Sequence, residues 1–236
     1  MFRDLHELLF SPYSWTLTSG IIPYLVAASS TPSVGRVQEP RNLSTTELDT
    51  KNAKWLKLDI IDWEDQEGVR RKWEVASRKT TGSGGVDAVE IIALLRSQTK
   101  DEPISTIIIE QYRPPTKRIS IGLIDADESA ESAALRELEE ETGFKAEEVM
   151  ECTPIQWSDP GMTTVTMKTA FLSVPVSSVH APLPKQRLEE GEHVVRRIVP
   201  IEELKSILAE YSKQGAAIDS RLSHFAEGWD LARRLG

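Results

Sequence analysis

The chain has a single cysteine, Cys152, among 236 residues, which excludes an intramolecular disulfide framework. A reducing compartment is expected: the cytoplasm, with a nuclear or mitochondrial pool left open. One thiol ahead of a strand-like run reads as packing rather than as a nucleophile. No run approaches the roughly 18 apolar residues of a membrane span. The nearest candidate, Gly20 to Ala28, is short and is interrupted by Pro23. Asp4 and Glu7 argue against a secretory leader or a mitochondrial presequence. Basic residues are outnumbered, 28 Lys and Arg against 37 Asp and Glu, so the footprint of a nucleic-acid binder is missing.

What is present is an ordinary globular composition, 39% hydrophobic and 28% charged, enough for one sizeable core or two small ones. The net charge of −9 has a local origin. Residues 125–151 hold eleven acidic and two basic side chains, while the remainder of the chain balances. The acidity therefore belongs to one motif.

That motif runs from Gly122 to Phe144 and reads as a loop followed by an amphipathic helix. Ser129 or Asp127 can cap its start, Ala130, Ala134 and Leu138 form a buried stripe, and Gly143 stands where a helix terminates. Spacings of three and four residues put Glu140 and Glu141 within about 60° of Glu137 on one helix face. Like charges at these spacings destabilise a helix by a few tenths of a kcal/mol per pair. The crowding therefore suggests a divalent cation, and hard oxygen donors suit Mg²⁺ or Mn²⁺.

Gly122, Glu128 and the run Arg136-Glu137-Leu138-Glu139-Glu140-Glu141-Thr142-Gly143-Phe144 resemble the Nudix box at every defining position. The resemblance implies a hydrolase of nucleoside diphosphates linked to another moiety. Carried over by position, it implies Glu137, Glu140 and Glu141 as metal ligands, Arg136 as the group that orients them, and Glu128 as an accessory acid. It also implies a general base on a later loop in a Gly-Glu context. Leu188-Glu189-Glu190-Gly191-Glu192-His193 supplies that setting; Glu192 is preferred, with Glu189 and Glu190 as rivals.

The rest of the chain is mostly strand-like. Trp55 to Ile60 alternates, Val69 to Ser77 forms a second strand, and a turn from Asp65 to Gly68 joins them. The Thr80 to Gly85 loop reads as a plain turn. Val86 to Leu95 and Ile104 to Tyr112 read as a hairpin. Val165 to Val174 and His193 to Val199 are further strands, followed by helices from Pro200 and from about Ala216 to Leu235. The expected class is α+β. The resemblance implies a Nudix-type mixed sheet sandwiched between helices over residues 84–236 and a small N-terminal β-domain over 45–83. Residues 1–44 read as a disordered extension.

The flanks resemble the ADP-ribose pyrophosphatase branch of the family: Trp55-Leu56-Lys57-Leu58, Trp73 to Arg78, Gln111-Tyr112-Arg113-Pro114-Pro115 and Ser158-Asp159-Pro160-Gly161. This implies ADP-ribose or another ADP-sugar as substrate. It implies an adenine sandwiched by Trp55 and Trp73, phosphate and ribose contacts from Arg78 and Arg113, and a homodimer whose N-terminal domains exchange contacts. Trp15, Trp63 and Trp157 read as structural. One departure stands out: the Glu-x-Pro-Ala segment usual before the box glycine is absent, and Arg118-Ile119-Ser120-Ile121 runs straight into Gly122. The metal ligand that the family draws from a backbone carbonyl there would fall to Ile121, and slowed turnover is the expectation.

Overall fold

The computed structural model describes residues 39–81, 85–122, 124–126 (backbone only) and 131–236. Residues 1–38, the middle of the glycine loop (82–84), Leu123, Asp127, Glu128, Ser129 and Ala130 lie outside the described residues, and the expectations placed on them lie there too.

Two runs of β-branched and aliphatic residues build the centre. β3 (Ala88–Ser97) pairs in parallel with β9 (Thr166–Val176) over ten successive rungs. β4 (Ser105–Arg113) joins β3 only beside the connecting loop, at Leu94↔Thr106 and Leu95↔Ser105. The expected hairpin is therefore real but splayed. Into the gap comes β6 (Ile124–Ala126), whose backbone pairs with Val89, Glu90 and Ile91. β5 (Arg118–Gly122) and β10 (Val195–Pro200) both run antiparallel to β4. β7 (Glu148–Cys152) and β8 (Gln156–Trp157) flank β9, and β11 (Ala217–Ile218) closes the far edge beside β5. The result is a mixed nine-stranded sheet.

Alternation along β3 and β4 sends side chains to two cores. Val89, Ile91, Leu95, Ile107 and Ile109 pack with Ala133, Ala134 and Leu138 of the motif helix. Ile92, Ile108 and Ile121 pack on the opposite face with Leu204 and Leu208 of α2 (Leu204–Lys213) and Leu222 and Ala226 of α3 (Ser220–Leu235). The sheet is thus sandwiched between helices, as expected. α3 starts later than its apolar pattern suggested. Asp219 caps it, its carboxylate accepting from Arg221 N–H and Leu222 N–H, which frees Ala217 and Ile218 to be a strand. The stripe ends early as well: Leu222 is buried, but Trp229 and Ala232 are exposed.

β1 (Leu56–Glu64) and β2 (Arg70–Arg78) form a separate two-stranded hairpin around the Asp65 to Gly68 turn. Few strand pairs stand alone, and this one leans on the β8–β9 connection. Ala76 N–H donates to the Met162 carbonyl and Thr164 N–H to the Ala76 carbonyl, both at 3.0 Å. Residues Pro40–Gly236, the hairpin included, form one compact unit. The unit also takes in residues 40–44, expected to belong to the extension. The Tyr112 hydroxyl donates to Asn42 at 2.7 Å, and the Asn42 amide donates to the Pro114 carbonyl at 3.0 Å. Cys152 ends β7, packs against the first core, and burial pushes its thiol pKa up. Among the described residues no helix is long and apolar enough to cross a membrane.

Candidate active site

The motif helix begins as α1 (Glu131–Glu137) and then widens into a π-helical turn over Leu138–Thr142. Such turns are rare and gather at functional sites. Ala134 and Leu138 are fully buried, as the stripe predicted. Gly143 ends the turn in the left-handed conformation, φ 74°, its N–H donating to the Glu139 carbonyl at 2.8 Å.

Arg136 is the hub of the acidic face. Its guanidinium contacts Glu137 at 2.7 Å and Glu140 at 2.5 Å. Glu141 turns inward and is buried. Burial raises the Glu137 pKa; Arg136 opposes the rise, while Glu140 and Glu192 add to it. Glu192 sits on a loop some fifty residues downstream. Glu189 and Glu190 are exposed, whereas Glu192 is half-buried and accepts from Glu189 N–H at 2.9 Å. Among the described residues no three acidic, cysteine or histidine side chains already form a metal-binding group. The donor chemistry nevertheless suits a hard divalent cation: all the donors are carboxylate oxygens, and their mutual repulsion is what such an ion relieves.

Gln186, Arg187 and Arg196 escaped the sequence reading. The Gln186 amide donates to the carbonyls of Glu141 (2.7 Å) and Val194 (3.1 Å). Arg187 N–H donates to the Glu140 carbonyl at 2.8 Å. The Arg196 guanidinium donates to the carbonyls of Thr142 and Pro184. The hint in the sequence was Arg196, one of two adjacent arginines in the strand Val195–Pro200. A second missed group is the ion cluster of buried Glu90 with Arg221 and Asp219, on the opposite face of the sheet.

The Ile121 carbonyl, the remaining ligand expected, has a hydrogen-bond partner elsewhere in the fold. Ile121 is fully buried in the second core, and its carbonyl accepts from Asp219 N–H at 2.9 Å. β5 runs straight through Ile121 to Gly122, and the Ile121 carbonyl goes to the β11–α3 junction.

The two tryptophans assigned to the base are also apart. Trp55 precedes β1, whereas Trp73 pairs with Ile61. Six residues at about 3.3 Å each separate them by roughly 20 Å along the hairpin. One chain cannot close both on a single ring. Trp73 instead meets Trp63 edge-on, centroids 6.5 Å apart, and its indole N–H donates to the Gly161 carbonyl at 3.0 Å. Beside it opens an apolar cleft lined by Ile61, Val75, Trp157, Pro160 and Met162. Trp157, read as structural, is exposed there. Arg78 lies at the Trp55 end of the hairpin, paired with Leu56, and Arg113 is exposed at the end of β4.

Comparison with known proteins agrees with this geometry. Residues 86–219 match the NUDIX domain. An uncharacterised Nudix hydrolase of Schizosaccharomyces pombe is 37% identical, covering 81% of this chain and 93% of its own. An ADP-ribose pyrophosphatase of Saccharomyces cerevisiae is 30% identical, covering 86% and 87%. An ADP-sugar pyrophosphatase of mouse, Mus musculus, is 32% identical, covering 77% and 84%. The family match spans more than half of the chain and the relatives align over most of it: the chain belongs to the Nudix hydrolase family.

Proposed function

We propose that this protein hydrolyses the diphosphate of ADP-ribose and related ADP-sugars, giving AMP and a sugar 5-phosphate. Relatives with those substrates in their names align over most of the chain. The observation that carries the reading is the gathering of Glu137 and Glu140 around the Arg136 guanidinium at the end of the box helix, with Glu141 buried beside them. In this reading Glu137, Glu140 and Glu141 would hold Mg²⁺ or Mn²⁺. A cation there would neutralise charge on the diphosphate. Glu192 takes the proton of the attacking water, which requires an approach of about 2.6–3.2 Å. Arg136 fixes the carboxylates, while Arg78 and Arg113 bind phosphate and ribose oxygens.

The test is turnover of ADP-ribose with Mg²⁺ and with Mn²⁺, set against binding of the same ligand. Release of AMP only in the presence of a divalent cation is expected. Binding without release would favour a second reading, a Nudix-fold ADP-ribose binder. One feature speaks for slow turnover or for that alternative: the Ile121 carbonyl is already engaged by Asp219.

The adenine side of the proposal needs two chains. Leu58 and Ile60 on one hairpin face are about 60% exposed, as is Trp55 at its end. In this reading a second protomer brings its Trp55 toward Trp73. Trp73→Ala is expected to raise KM for ADP-ribose roughly 5- to 100-fold, since stacking is worth about 1–3 kcal/mol per base. The turnover number should change less. Unaltered KM together with unaltered tryptophan quenching by ADP-ribose would make Trp73 a packing residue only.

A further inference from the structure

The last four carbonyls of a helix lack intrahelical donors. In the box helix these belong to Glu139, Glu140, Glu141 and Thr142. Gly143 N–H takes the first. The other three go to one remote segment: Arg187 N–H to Glu140, the Gln186 amide to Glu141, and the Arg196 guanidinium to Thr142. Helix caps are ordinarily supplied by the next residue or two. Here the Gln186 donor lies 45 positions downstream of its acceptor.

The same donors also close the loop that carries Glu192. The Gln186 amide bridges to Val194 at 3.1 Å, and Arg196 bridges to Pro184. The base loop and the C-terminal cap of the ligand-bearing helix are therefore a single structure. Any shift of one moves the other.

We propose that Gln186 and Arg196 are positioning residues for the hydrolysis, acting as a clamp that sets the distance between Glu192 and the box carboxylates. The proposal rests on the reading of Glu192 as general base. Neither side chain touches reacting atoms in this scheme. Each donates to main-chain carbonyls on both sides of the gap, which a leucine or methionine of similar size cannot do. A displacement of about 1 Å at a reacting group costs on the order of 10²-fold in rate.

The experiment is a double-mutant cycle on the full chain, read with ADP-ribose at saturating Mg²⁺. Gln186→Leu is expected to lower kcat by about 10²-fold while KM stays within about twofold. In the Glu192→Gln background the same substitution should cost less than about twofold more, because a mispositioned base cannot be lost twice. Arg196→Lys, which keeps the charge but cannot span Thr142 and Pro184, should repeat the pattern if Gln186→Leu does not fold. Equal losses in both backgrounds would overturn the clamp while leaving the base assignment intact. So would unchanged kcat in folded Gln186→Leu and Arg196→Lys. Near-normal turnover by Glu192→Gln alone would instead remove the base, and the proposal with it.

Discussion

The double substitution E140Q/E141Q is expected to lower kcat by at least about 10³-fold, roughly 4 kcal/mol of barrier, with the fold retained. Gln is nearly isosteric with Glu, so packing around the buried Glu141 is preserved while a charged oxygen donor becomes a neutral amide. Burying an amide is far less costly than burying a carboxylate, so the melting temperature should hold or rise slightly. Glu140 also gives up its ion pair with Arg136, a half-exposed contact that contributes little to stability. Activity and stability are thus predicted to move apart. Steady-state turnover over a Mg²⁺ titration, paired with thermal melting, checks both. Near-parental turnover at ordinary Mg²⁺ would remove these two carboxylates from the ligand set.

Gly143→Ala is expected to do the opposite, damaging fold and activity together. The position has φ 74°, where an L-residue is penalised by roughly 1–2 kcal/mol. A Cβ there would also stand 2.5 Å from the Lys185 carbonyl oxygen and 3.0 Å from two further backbone carbons. Backbone cannot rotate away as a flexible side-chain tip would. A total loss above about 3 kcal/mol is expected, or roughly 6–12 °C in Tm for a chain of this size. Gly68 provides the internal control: its φ is 75°, but nothing lies within 4 Å of its added Cβ. Gly68→Ala should therefore show the conformational penalty alone. Equal Tm shifts in the two variants would contradict the overlap argument.

The motif itself was legible because its signals are local. Fixed spacing identified the box, periodicity identified Ala134 and Leu138 as core, and Gly143 marked the helix end. The long aliphatic strands were legible for the same reason. Short strands such as β6 and β11 were not, because two or three residues carry no periodicity and are defined only by their neighbours. The start of α3 could have been read from Asp219 ahead of Ser220, a capping signal that the apolar stripe overshadowed. Register was out of reach. That Trp73 faces Ile61, and so stands far from Trp55, depends on the Asp65 to Gly68 turn fixing which residues pair. The engagement of Ile121 by Asp219 and the hold of Gln186 on the box join segments distant in sequence. Such contacts leave no trace in spacing.

The parallel pairing of β3 with β9 has a consequence for how the chain is born. A parallel pair requires a crossover, and here everything from β4 to β8, box included, lies inside it. Pairings between remote segments form late, because loop closure must precede any gain from them. A nascent chain emerged only as far as residue 165 would hold the whole box yet lack β9, whose Ala170, Leu172 and Val174 share the first core with the box helix. It would also lack Gln186 and Arg196, which cap that helix. The carboxylate-bearing turn would be among the last parts to acquire its shape, and a ribosome stalled before β10 would expose it fully spelled but unassembled.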